Sequence, residues 1–191
     1  MKQGVRALGV AASDGESTAT LAGVVVRADR VVDGACFETC TVGGTDATDS
    51  VRSIFDDLGR DDVQFLVCAG IAPAWFNVLD LHAIHDHVER PVLSVSFESS
   101  PGLADAIREQ FAGAERDRRV AIYERQPPRH RVTVGDDDVW VRAVGCDAER
   151  AREVVRAFTP SGSGRPEPVR VARTMARAGR TFRAGILDDS E

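Results

Sequence analysis

Val42-Gly43-Gly44-Thr45-Asp46-Ala47-Thr48-Asp49 is the stretch where the chain changes from strands to helices. The paired glycines end an extended run, and Thr/Asp chemistry then opens a helix. Upstream, Val5–Ala12, Thr18–Arg27 and Ala35–Val42 alternate or run apolar as strands do. Their short connections predict an antiparallel meander. Downstream, Val51, Ile54, Phe55 and Leu58 recur at helical spacing until Gly59, and Val63–Cys68 is a short apolar run of buried-strand type. A loop over 69–75 leads into a helix expected over Phe76–Val88. Beyond it come a strand at Val92–Phe97, a helix over Pro101–Gly113 and a strand at Arg119–Tyr123. Arg131–Val134 and Val139–Val144 flank a Gly-Asp-Asp-Asp hairpin loop. Asp147–Phe158 and Pro168–Ala178 read as helices joined by the flexible link Ser161–Pro166.

This order predicts an α/β fold: a mixed sheet, antiparallel meander first and parallel strands after, flanked by helices on both faces. The ribonuclease-H-like architecture has the same order. At 191 residues and 43% hydrophobic, the chain fits one domain, expected over residues 1–180 with its C-terminal helix, followed by a tail over 181–191. No apolar run approaches the roughly 20 residues a membrane span needs. The start, Met1-Lys2-Gln3-Gly4-Val5-Arg6, lacks a signal-like layout, so a cytoplasmic location is expected.

Thirty acidic against 24 basic residues give a formal charge of -6, and Lys2 is the only lysine. That balance suggests a salt-adapted surface and a salt-loving archaeal source. Net negative charge argues only weakly against nucleic-acid binding here, because strong salt already removes most of the counterion-release term. Cys36, Cys40, Cys68 and Cys146 show no zinc-ribbon spacing and read as small buried residues.

Two segments carry the candidate chemistry. In Thr41–Ser50, Asp46 and Asp49 can share a hard cation, or they can serve only as helix caps. In Ala69–Asp80, Trp75 can stack on a base and Asn77 can meet a base edge or phosphate; the alternatives are a core plug and a cap. His82 and His85 share a helical face near Asp80, without a recognised zinc spacing, and read as a solvated face. No phosphate-loop or nucleophile-elbow motif occurs.

Taken in order, Arg6-Ala7-Leu8-Gly9-Val10, Val24-Val25-Val26-Arg27, Val32-Asp33-Gly34, Gly43 to Asp49, Gly70-Ile71, Phe76-Asn77-Val78-Leu79-Asp80 and Arg90-Pro91-Val92 resemble the archaeal endonuclease dU family. The resemblance covers about residues 4–125 well. It implies a ribonuclease-H-like fold related to endonuclease V and divalent-metal-dependent hydrolysis of a phosphodiester, with Mg or Mn as cofactor. The implied substrate is DNA bearing deoxyuridine. Asp46 and Asp49 would hold the metal, with Asp14 or Asp80 completing the catalytic acids. Arg27 would meet phosphates, and Trp75 with Asn77 the base. The family's acids after the first strand and before Gly-Ile are replaced here by Ala11, Ala12 and Ala69. The relatives' two-metal site is therefore not carried over intact. Two further readings stay open: a catalytically impaired nucleic-acid or nucleotide-binding module of the same fold, and a structural partner protein with an exposed Trp75 patch.

Overall fold

The computed structural model describes residues 1–188. The meander forms as the sequence indicates: β1 (Arg6–Asp14), β2 (Thr18–Arg27) and β3 (Val32–Thr41) pair antiparallel in succession. Helix α1 (Ala47–Leu58) follows, with Asp46 as its N-cap residue and Gly59 closing it in the left-handed conformation. β4 (Val63–Ala69) returns beside β1 in parallel, and β5 (Val92–Ser96) lies parallel beside β4. Between them sit a tight turn with left-handed backbone, labelled α2 (Pro73–Phe76), and helix α3 (Leu81–Val88). The hairpin of β6 (His130–Val134) and β7 (Asp137–Val144) joins β5 antiparallel through β7. The result is one seven-stranded mixed sheet in the order β3-β2-β1-β4-β5-β7-β6, the ribonuclease-H-like arrangement.

Helices cover both faces because the central strands are apolar on both. Eight consecutive β2 residues, Ala19–Val26, are buried. On one face α1 presses Ile54 onto β2. Gly23 makes room, since a Cβ there would run into the Ile54 side chain. Ile54 is fully buried, so Ile54→Ala should cost about 2–5 kcal/mol. On the other face lie α6 (Ala148–Phe158) and α7 (Glu167–Asp188). The start of α7 crosses β1 at Gly9, where any Cβ would strike the Pro168 backbone. Four expectations change. The helix expected over Phe76–Val88 starts only at Leu81, because 77–80 runs extended and Asp80 caps it. Arg119–Tyr123 lies inside α5 (Gly113–Glu124), not in a strand, and buries Arg119 and Tyr123, one helical turn apart. The helix expected over Pro101–Gly113 is shorter, α4 (Ala104–Gln110). The final helix runs on from Ala178 to Asp188 because Gly179 seats against Phe37 of β3 instead of breaking it. The rest of the expected tail, 189–191, lies outside the described residues. Among the described residues no helix is long and apolar enough to cross a membrane.

Candidate nucleic-acid cleft

The two segments singled out by sequence interlock through one side chain. Asn77 is fully buried. Its Oδ1 accepts from the Ala47 N–H at 3.0 Å, one of the four donors that open α1. Its Nδ2 donates to the Thr41 carbonyl at 3.0 Å and to Asp46 Oδ1 at 2.6 Å. Asp46 also accepts from the Thr41 N–H at 3.0 Å and the Thr41 hydroxyl at 2.8 Å. Partial burial pushes the Asp46 carboxyl up, but the bonds from Asn77 and Thr41 together hold it below the usual carboxylate range. The backbone N–H of Asp80 donates to Thr48 Oγ1 at 3.0 Å, a second tie between the segments.

This latch holds an unusual loop. Ala74, Trp75 and Phe76 all have positive φ, at 48°, 52° and 61°. Left-handed backbone costs about 1–2 kcal/mol per non-glycine residue, so the surroundings must enforce it. The Gly43 N–H donates to the Ala74 carbonyl at 2.7 Å. Gly43 itself has φ +71°, and its missing Cβ leaves the space that the Trp75 ring fills. Arg119, 2% exposed, donates to the Gly43 and Gly44 carbonyls and stacks 4.0 Å over Phe111. Trp75, Phe76 and Phe111 meet at ring-centre distances of 5.4 to 5.9 Å. Trp75 nevertheless stays 50% exposed.

Trp75 borders a cleft of about 330 Å³ at the carboxyl ends of β1, β4 and β5. This is where the chain order reverses, with β2 and β3 laid to one side of β1 and β4 and β5 to the other. Ligands of α/β sheets bind at such switch points. Ala11, Ala12 and Asp14 line the cleft from β1, Ala69 and Gly70 from the end of β4, and Glu98 from just beyond β5. Arg165 reaches in from the connection before α7 and Arg173 from its second turn, and Arg165 stacks 4.7 Å from the Phe97 ring centre.

Of the residues selected by sequence, only Asp14 and Trp75 line this cleft. Asp46 and Asn77 are committed to each other beneath the loop. Asp49 points to solvent, with 77% of its side chain exposed, and pairs with Arg52 at 3.1 Å. Asp80 caps α3 by accepting from the Ala83 N–H at 3.3 Å and is ion-paired with Arg125. Arg27 pairs with Asp29 at 2.7 Å and lies opposite Arg6, at the start of β1. The cleft is at the other end of β1, roughly 25 Å away at a strand's rise per residue. His82 and His85 are engaged with the carbonyls of Arg125 and Arg90.

A two-metal centre needs several converging anionic donors. Among the described residues no group of three or more His, Cys, Asp or Glu side chains is placed to hold a metal. Where acids would be expected at the ends of β1 and β4, the cleft wall is alanine. The residues present do not fit a two-metal centre; Asp14 and Glu98 are the carboxylates that line the cleft. Sequence reading missed Glu98, Arg165, Arg173 and Arg119. Glu98 directly follows an apolar strand, so the rule that points to Ala69 also reaches it; nothing local marks the arginines as neighbours of β1 or Gly43.

A sequence profile described as endonuclease dU matches residues 3–179. A UPF0215 protein of Pyrobaculum aerophilum is 35% identical over 171 residues, 89% of each chain. Another, from Methanopyrus kandleri, is 30% identical over 184 residues, 92% of this chain and 91% of that one. Among solved structures, an Archaeoglobus fulgidus protein of unknown function superposes with TM-score 0.80 at 24% identity, over 91% of this chain and 97% of its own. Endonuclease V of Ciona intestinalis, solved with an inosine-containing DNA, superposes with TM-score 0.61 at 11% identity, over 93% and 86%. At these identities the structural likenesses speak for the fold.

Proposed function

The chain belongs to the endonuclease dU family, and from that premise we propose that it takes deaminated, deoxyuridine-containing DNA into the cleft at the ends of β1, β4 and β5 and hydrolyses a phosphodiester there. The observation that carries this reading is the make-up of the cleft. Two arginines, a half-exposed tryptophan and two carboxylates converge at the sheet's switch point. Guanidinium groups pair with phosphate through parallel N–H donors. The Trp75 ring offers a stacking face, worth about 1–3 kcal/mol per base in single-strand sites. The locked loop presents that face in advance, so little ordering cost falls on binding. Asp14 and Glu98 are the residues that would meet a divalent ion, Mg²⁺ or Mn²⁺, whose remaining ligands would be water and the substrate phosphate. Such an ion would supply charge neutralisation at the phosphate and an acidified water. Asp46, Asp49 and Asp80 have no part in this version, and Arg27 and Asn77 serve the scaffold.

A second reading is favoured by Ala11, Ala12 and Ala69: the same cleft binds the deaminated strand without cutting it. One experiment separates the two. A duplex with a single deoxyuridine is incubated in high salt with Mg²⁺ or Mn²⁺, with wild type, Asp14→Asn/Glu98→Gln and Asp49→Ala compared. The first reading expects cleavage by wild type and Asp49→Ala, with a loss of at least about tenfold in the double variant. Selective binding without any cleavage would leave the second reading standing. Neither binding nor cleavage would end both.

A further inference from the structure

Helix α7 carries an arginine row that the cleft alone does not account for. Arg173, Arg177 and Arg180 are spaced i, i+4, i+7 and so share one flank of the helix. All three are exposed. None of their guanidinium groups has a hydrogen-bond or ion-pair partner among the described residues. Most other arginines of this acidic chain are occupied: Arg6 and Arg60 hold Asp33, Arg108 holds Glu124, and Arg170, on the same helix, holds Glu167. Three free guanidinium groups side by side, in a chain of net charge -6, repel one another with no folding return.

Their direction is informative. The flank that carries Gly179 faces Phe37 of β3, whereas Arg173 opens into the cleft on the β4 side. From Pro168, above Gly9, the helix runs past the carboxyl end of β1 to Arg183, which donates to the Thr18 carbonyl at the start of β2. The arginine row therefore begins in the cleft and leads outward past the β1–β2 turn. From Arg173 to Arg180 it spans about 10 Å of helix axis, matching about three nucleotide steps of a duplex strand at ~3.4 Å each.

We infer that this flank of α7 is a track for the nucleic-acid backbone, with Arg173 passing the strand from the cleft to Arg177 and Arg180. The inference rests on the DNA-binding reading of the cleft and extends it beyond the lesion. A backbone track reads charge and carries no sequence information, so it must act equally on damaged and undamaged DNA.

The test is the salt dependence of binding to a fluorescent oligonucleotide between about 0.2 and 1 M KCl. Wild type, Arg177→Ala/Arg180→Ala and a control, Arg118→Ala/Arg152→Ala, with one exposed and one part-buried arginine outside the row, are compared on deoxyuridine and thymidine versions. Losing two phosphate contacts should flatten the slope of log affinity against log salt by about 1.4 on single strands or about 1.8 on duplex. Both DNA versions should weaken by the same factor, and Arg177→Lys/Arg180→Lys should restore the slope. A slope equal to that of wild type, or an equal flattening in the control, overturns the track. If deoxyuridine-selective binding persists in that case, the cleft reading survives without it. Absence of any DNA binding by wild type overturns both.

Discussion

Replacing Asn77 tests whether the two loops form one latch. Asn77→Ala removes three hydrogen bonds at once: those to Ala47 N–H, the Thr41 carbonyl and the Asp46 carboxylate. The site is fully buried, so water does not readily replace them. Two neutral bonds at about 1 kcal/mol each and one to a charged group at about 1.5–3 kcal/mol give a loss of about 3–5 kcal/mol. With a urea slope near 2 kcal/mol per molar, the unfolding midpoint should fall by about 1.5 M or more. Asn77→Asp should be worse at neutral pH, because it sets a second carboxylate against Asp46. The pair then titrates as a unit, with one pKa raised above its unfolded value of about 3.9. A raised carboxyl pKa costs stability above that pKa and nothing below the unfolded one, so the deficit should shrink as pH falls from 7 toward 4. Chemical denaturation across that range measures both variants. A midpoint within about 0.3 M of wild type for Asn77→Ala, together with lost deoxyuridine selectivity, would refute the latch and return Asn77 to base contact.

Other expectations follow from the same geometry. Trp75→Ala should lower single-strand affinity by about 5- to 150-fold, the equivalent of 1–3 kcal/mol of stacking, in an anisotropy titration. Asp46 has a depressed folded pKa, so its contribution to stability is full above the unfolded value and is lost as pH falls through the folded one. The stability gap between wild type and Asp46→Asn should accordingly close in acid. Burial raises all four thiols, those of Cys40 and Cys68 to about 12, but Cys36 and Cys146 are only part-buried and so remain within reach of a reagent. A maleimide assay at neutral pH should label Cys36 and Cys146 in the native protein, and all four cysteines after unfolding.

Much of this architecture was legible in the sequence, because strand alternation and helical spacing are local signals. β1 to β5 and α1 fall where their apolar patterns put them, and the two candidate segments do meet. Where the structure departs from the local signals, the causes are non-local. Val120 and Ile122 alternate like a strand, but Arg119 and Tyr123 earn their burial one helical turn apart against Gly43 and Leu103, contacts no window reveals. Asp46 and Asp80 carry the residue type of a metal ligand, yet capping and ion pairing need the same chemistry. Arg27 sits in a family motif at the far end of an antiparallel strand, so the topology carries it away from the cleft. Arg165 and Arg173 arrive from the last connection and the last helix, some hundred residues later in the chain.

The central claim is that the lesion-bearing strand lies in the cleft beside Trp75. A duplex with 4-thiodeoxyuridine at the lesion position, photo-crosslinked to the protein and mapped by peptide mass spectrometry, tests it most directly. The account predicts adducts on the segment carrying Trp75 or on the cleft wall around Phe97, competed away by deoxyuridine DNA. Adducts confined to the β3 edge around Phe37, or spread evenly and indifferent to that competitor, would contradict it.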